Sequence, residues 1–306
     1  MSYTQNIYEL VDEIENVEEA PAVKLTKDLI EATKTLSRRE VRYLVDAYYQ
    51  MQNDRIRAKN QIRAASVDAE PHSVITWFAD NKAVTEKRLK QVLTAYSAGN
   101  PLGTWAMSIC GIGGVLSAGL SAHIDISKTH NVGQILSFAG ILPNPKEWKT
   151  KEQRPFNAKL KTLTWKIGES FVKVSNKDSD FYGKLYKEAK DSYLARNESG
   201  EYAEKCKEIL EKKTYSKDTD AYNAYITGKL PPAHIQARAK RKAVQMFLSH
   251  WFDVGYYFEH GTYNPALPYI IEHGHSGYIS IPNCPYNDKA AFDAKLKALN
   301  QRREVA

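Results

Sequence analysis

The chain has 306 residues, of which 42% are hydrophobic and 26% charged, with 43 Lys and Arg against 36 Asp and Glu. This composition excludes a disordered or fibrous class and leaves room for one large domain or two ordinary ones. The net charge of +7 hides a division: six carboxylates and no Lys or Arg stand in residues 1–20, so the rest of the chain carries +13.

Such an excess suits a polyanionic partner such as nucleic acid, against the plain alternative of an inert basic surface. Cys110, Cys206 and Cys284 are far apart and form no C-x-x-C pair, so neither a zinc knuckle nor a disulfide scaffold is expected, and a reducing cytoplasm fits. The acidic start lacks the basic and apolar regions of a signal peptide.

Residues 1–22, with Glu9, Asp12, Glu13, Glu15, Glu18 and Glu19, read as an acidic tail ended by Pro21. From Leu25 to about Ala65 the pattern is helical. Thr26 caps a first helix and Ser37 a second, with Glu40 three residues on as a capping box. Leu44, Ala47, Tyr48, Met51 and Ile56 supply apolar positions near helical spacing, and Arg38, Arg39, Arg42, Arg55, Arg57, Lys59 and Arg63 decorate the helix. A solvated basic face and a nucleic-acid contact both fit that decoration. Pro71 marks a break. Residues 72–97 then read as one or two helices with Ile75, Phe78, Val84, Leu89, Val92, Leu93 and Tyr96 on the core face. Residues 23–98 form a helical, linker-like region suited to self-association.

Thr104 to Ile124 is the one run long enough to consider as a membrane span, but four Gly, three Ser, a Thr and a His dilute it and no basic flank adjoins it. A helix–hairpin–helix fits better. Gly111 and Gly113 allow a tight turn, Ile112 plugs it into the core, and the free amides after Gly113 and Gly114 can meet phosphate. Close packing of two helices through the same glycines is the alternative. The spacing is neither a G-x-G-x-x-G fingerprint nor a P-loop.

Asn131 to Phe138 reads as a short helix ending at "AGILPNP". The polar loop "KEWKTKEQRPF" follows at 146–156, and Asn157 caps a helix to about Val174 with Leu160, Leu163, Thr164, Ile167, Phe171 and Val174 inward. Residues 146–177 hold nine basic residues against three Glu. Within the loop, Trp148 either stacks on a base or anchors the loop on the core. A further helix starts near Ser179, and 198–230 read as a charged insertion with a helix around 201–213. "LPP" opens a strong helix from Ala233 to Phe258, on which Arg238, Arg241 and Lys242 share a face. Beyond Gly261, Tyr278 to Ile281 is a candidate strand and 288–303 a last helix. Glu272, His273 and His275 are close in sequence, with His250 and His260 nearby, but surface histidines are the plain reading and no metal site is assigned. There is no βαβ rhythm, and the fold is expected to be mainly α.

"ICGIGGVLSAGLSAHIDI" followed by "NVGQILSFAGILP" resembles the C-terminal domain of the bridge-RNA-guided insertion-sequence transposases. In that family a Gly-x-Gly hairpin and helix precede an Ala-Gly-apolar-x-Pro segment, matched here by Ala139, Gly140, Ile141, Leu142 and Pro143. Asn157 and Leu160 look like its next helix start, "DSDFYGKLYKEAK" like the following segment, and "ARAKRKAVQMFLSHWFDVG" like its last helix. On this resemblance the domain runs from 99 to 260, with an insertion at 191–232 and an extension at 261–306. Two departures stand out. The residues before the linker-like helices are too few for the family's RNase-H-like fold with its four carboxylates. The loop that holds the family's catalytic serine is here "NPKEWKTKEQR", where Thr150 is the one hydroxyl and no activating base can be assigned.

The resemblance implies a DNA- or RNA-binding scaffold that joins a homo-oligomer and lacks recombinase chemistry. Its phosphate contacts are expected from Gly111, Gly113, Gly114, Lys149, Lys151, Arg154, Lys159, Lys161, Arg238, Arg241 and Lys242, with no cofactor. Two alternatives stay open: an active strand-transfer enzyme whose chemistry comes from Thr150 or a partner chain, and a protein-interaction module that retains the fold alone.

Overall fold

Local sequence sets the helix starts. Ser37 and Glu40 form the capping box, with the Glu40 carboxylate accepting from the Ser37 amide at 2.7 Å and the Glu40 amide donating to Ser37 Oγ at 3.3 Å. Thr26, Asn131 and Asn157 cap in the same way, each accepting from the amide three residues on. The structure is a computed structural model, described over residues 25–65, 70, 72–142, 148, 151–262, 264 and 279–285. The acidic tail, the break at Pro71, Pro143, Lys149, Thr150, the Glu272/His273/His275 group and the helix expected at 288–303 lie outside the described residues.

Eleven α-helices and no strand appear among the described residues. They are α1 (Lys27–Ala32), α2 (Arg38–Ala65), α3 (Ser73–Ala98), α4 (Pro101–Ser108), α5 (Gly114–His123), α6 (Val132–Phe138), α7 (Ala158–Val174), α8 (Tyr182–Glu198), α9 (Ala203–Lys212), α10 (Asp220–Ile226) and α11 (Pro232–His260). The mainly α expectation is thus met. Ile279 to Ile281 form no strand, and α10 is a helix the sequence reading lacked. None of the described helices is long and apolar enough to cross a membrane.

The core is built around α11, where every residue from Ala243 to Gly255 is buried. Phe247 and Trp251 meet Trp105 of α4, and Phe247 meets Phe171 of α7 and Tyr182 of α8 at ring separations of 5.3 to 6.4 Å. A second cluster joins Val41 and Val45 of α2 and Leu93 of α3 to Val115, Ala118 and Ala122 of α5. A third gathers Tyr202, Cys206, Tyr225, Leu230 and Ile235 within and beside the 199–230 segment. Asn197 closes the base of that segment, its amide exchanging two hydrogen bonds with the Leu230 backbone at 2.8 and 3.1 Å.

α2 and α3 pair as an antiparallel hairpin whose register is set by a polar layer. Arg55 binds the buried Glu86, and Gln52 donates to the same carboxylate at 3.3 Å. Beyond this layer the expected core face is corrected. Ile56, Ile75, Phe78 and Val84 are exposed, as are Val74 and Trp77, the latter at 65%. Periodicity placed Ile75, Phe78 and Val84 on one stripe of α3 and Ile56 on the apolar side of α2, but at this end of the hairpin no described element covers them.

Candidate nucleic-acid interface

The opening to a site lies where α7 and α11 cross. Gly168 permits the approach: a Cβ there would already touch Lys240 and Val244 at 3.4 Å. Beside the crossing is a groove of about 370 Å³, floored by Ile141, Val244 and Gly168 and walled by Phe156 and Trp165. Its wall is held from two sides. Gly140 has φ +66°, and a Cβ at that position would stand 2.7 Å from Phe156 Cγ, so the missing side chain lets the ring lie across the turn. Gln245 of α11 donates to the Ile141 carbonyl, and the Asn157 amide donates to the Phe138 carbonyl at 2.8 Å.

Three cations gather at this groove. The Lys161 ammonium sits 4.1 Å from the Phe156 ring centroid, Arg241 also lines the groove, and Arg154 lies near Lys161. Burial, then the charges of Arg241 and Arg154, hold the Lys161 pKa below the ordinary lysine value. Burial and then Arg238 do the same to Arg241. Among the described residues no carboxylate forms an ion pair with Lys161, Arg154 or Arg241. The groove's other cation, Lys240, is neutralised by Glu169. A bound anion would relieve the repulsion that Arg241 and Arg154 exert on Lys161.

The eleven residues singled out in the sequence fall in different places. Gly111, Ile112 and Gly113 lie in the link between α4 and α5, with Gly111 at φ +94° and Ile112 buried. The turn rests on the far end of α7: Ser170 donates to the Gly111 carbonyl and Val174 packs against Gly111. At 1.5 Å per residue that is roughly 13–20 Å along α7 from Lys161, so turn and groove are separate features. Of the three glycines only Gly113 is exposed, while Gly114 is pressed against Thr94 of α3.

Lys159 is tied to Asp46 of α2 by an ion pair, and thus joins two helices of the fold itself. Lys151 is exposed and adopts φ +85°. Trp148 donates to the Glu152 carbonyl at 2.8 Å and lies under the Arg154 guanidinium at 5.6 Å; it is exposed and does not anchor the loop on the core. Arg238 faces Tyr193 and Tyr202, 5.1 and 5.0 Å from their ring centroids. Lys242 is half buried, and burial holds its pKa below the ordinary lysine value.

Trp165, Phe156 and Lys240 were missed as site residues. The available signal was an indole among Lys161, Lys166 and Lys173 on the polar side of an amphipathic helix. Elsewhere, His250 is buried between Tyr182 and Ile279, and no group of three His, Cys, Asp or Glu among the described residues could hold a metal ion. No family model matches the chain, no curated protein matches it, and no solved structure matches it.

Proposed function

We propose that this protein binds nucleic acid, largely through backbone phosphates, as a scaffold like the transposase C-terminal domain its sequence resembles and without recombinase chemistry of its own. The observation that carries this reading is the group of Lys161 and Arg241 on an aromatic-walled groove, with Arg154 near Lys161, none of them in an ion pair with a carboxylate among the described residues. Cations that no described carboxylate pairs can exchange counterions for phosphate, and an aromatic wall beside them suits bases. The absence of a serine from residues 144–154 supports the non-catalytic half of the reading.

Binding of a labelled 20-mer is expected to weaken steeply with salt. Each phosphate contact adds roughly −0.7 (single strand) to −0.9 (duplex) to the slope of log affinity on log salt. Removing two contacts, in the Lys161→Ala/Arg241→Ala double variant, lowers the slope's magnitude by about 1.5. A wild-type slope near zero would sink the phosphate mechanism.

The same reading includes a homo-oligomer, and the exposed Val74, Trp77, Phe78 and Val84 at one end of the α2–α3 hairpin support it. Sedimentation equilibrium is expected to give a multiple of the 34.7 kDa chain mass, and Trp77→Ser to shift it toward the single chain. A wild type that sediments as a monomer at all concentrations removes this part.

A further inference from the structure

The groove's shape narrows the kind of nucleic acid. A space of about 370 Å³ is the small end of ligand pockets: it is too small for a protein α-helix, about 10–12 Å across with its side chains, and smaller still against a nucleic-acid duplex, whose major groove alone is about 12 Å wide. A charged apolar-floored cleft of this size accepts one flat ring and its sugar. In a duplex the base faces are covered by their neighbours, whereas an unpaired strand can turn a base outward onto an aromatic side chain. Trp165 offers such a side chain: it lines the groove and is still 59% exposed, so a large indole face stays in water in the free protein. Phe156, also lining the groove, packs across Gly140 and under the Lys161 ammonium, contacts that hold this wall before any ligand arrives.

We propose that the groove between α7 and α11 holds one unstacked base of a single-stranded nucleic acid against Trp165 and Phe156, with the flanking phosphates on Lys161, Arg154 and Arg241. This rests on the phosphate-binding reading above and adds a preference for unpaired strands. Stacking supplies the preference because it needs an open base face, while the three cations take phosphates from either kind of strand. Lys161 and Arg241 line the groove, and Arg241 and Arg154 stand close enough to Lys161 to repel it, so a phosphate beside Lys161 would meet positive charge on more than one side.

Fluorescence anisotropy with a labelled oligo(dT) strand and a labelled duplex of the same length, in one buffer, tests the proposal. Trp165→Ala is expected to weaken single-strand binding about tenfold, the value of one stacked base. Duplex binding stays within about twofold and the salt slope is unchanged, because stacking is uncharged. Trp165→Phe keeps most of the single-strand affinity. The exposure of Trp165 means that both variants fold, which an unchanged thermal midpoint verifies. Equal loss on strand and duplex, or no loss on either, overturns the base pocket and leaves phosphate binding standing. Failure of the wild type to bind either at low salt overturns both readings. Binding of AMP but of neither strand also overturns the proposal, since the occupant is then a free nucleotide.

Discussion

Gly114→Ala is expected to destabilise the protein by about 3 kcal/mol or to prevent folding, although the change adds a single methyl group. A Cβ at this position would stand 2.3 Å from Thr94 Oγ1 and 2.4 Å from Thr94 Cα. The second atom is backbone, so relief requires α3 and α5 to separate. They are locked together there. The buried Ser97 hydroxyl of α3 donates to the Gly114 carbonyl at 2.9 Å, and Ser117 of α5 donates to the Gly103 carbonyl of α4 at 3.3 Å. Gly103 is equally confined, with the Ser97 carbonyl oxygen 2.1 Å from where its Cβ would be.

Gly113→Ser, one residue earlier, is the control. Gly113 has an extended backbone and nothing within 4 Å of its Cβ position, and serine is a good N-cap. Its effect is expected within about 0.5 kcal/mol. Urea unfolding of the two variants checks this. Were Gly114 there for phosphate contact alone, its alanine variant would unfold like the wild type and lose only binding. Near-equal midpoints would therefore overturn the packing account.

Lowering the pH from about 6.5 to 4 is expected to remove about 3 kcal/mol of stability through His250 alone. The imidazole is buried and its pKa is pushed down from 6.5 to about 4 by the loss of water; a hydrogen bond with the Ile279 carbonyl offsets part of that. A carbonyl only accepts, so Nε2 carries the proton and donates to Ile279 at 3.1 Å, and Nδ1 accepts from the Tyr182 hydroxyl at 2.7 Å. Both ring nitrogens are thus satisfied in the neutral form. Between the two pKa values the unfolded chain binds a proton that the native state does not. Stability is therefore complete above about 6.5 and falls as pH drops toward 4.

His123 and His234 are also held below the ordinary value, mainly by burial, and act in the same direction. Comparison with His250→Gln isolates the one ring, because glutamine is able to accept and donate but does not titrate here. Unfolding free energies from urea titrations at pH 7.5 to 4.5 are expected to converge for the two proteins as pH falls. Parallel curves would show that His250 is not buried neutral.

Much of the fold was legible in the amino-acid sequence because its signals are local. The Ser37–Glu40 box, Asn131 and Asn157 act on amides at most three residues away, so their spacing alone locates the starts of α2, α6 and α7. The inward positions of α7 also followed from periodicity: Leu160, Leu163, Thr164, Ile167 and Phe171 are all buried. Periodicity failed at Ile75, Phe78 and Val84, since it identifies a shared face and not what lies opposite. The candidate site was less legible. Trp165 gave no motif, and its partner wall, Phe156 with Gly140, depends on a turn that lies 16 residues earlier in the chain.

The sequence by itself determined most of the helices though not α10, several of their starts, the mainly α class and the basic surplus around residues 146–177. Tertiary structure decided the role of each member of those groups. Gly113 and Gly114 are identical and adjacent, yet only one meets Thr94, whose place is set by how α3 crosses α5. Lys159 and Lys161 are two residues apart on α7. Asp46, distant in sequence, neutralises the first, while Arg241 and Arg154 stand beside the second. Capping energies depend on neighbours within a turn of chain, whereas packing and charge depend on whatever the fold brings within a few ångströms.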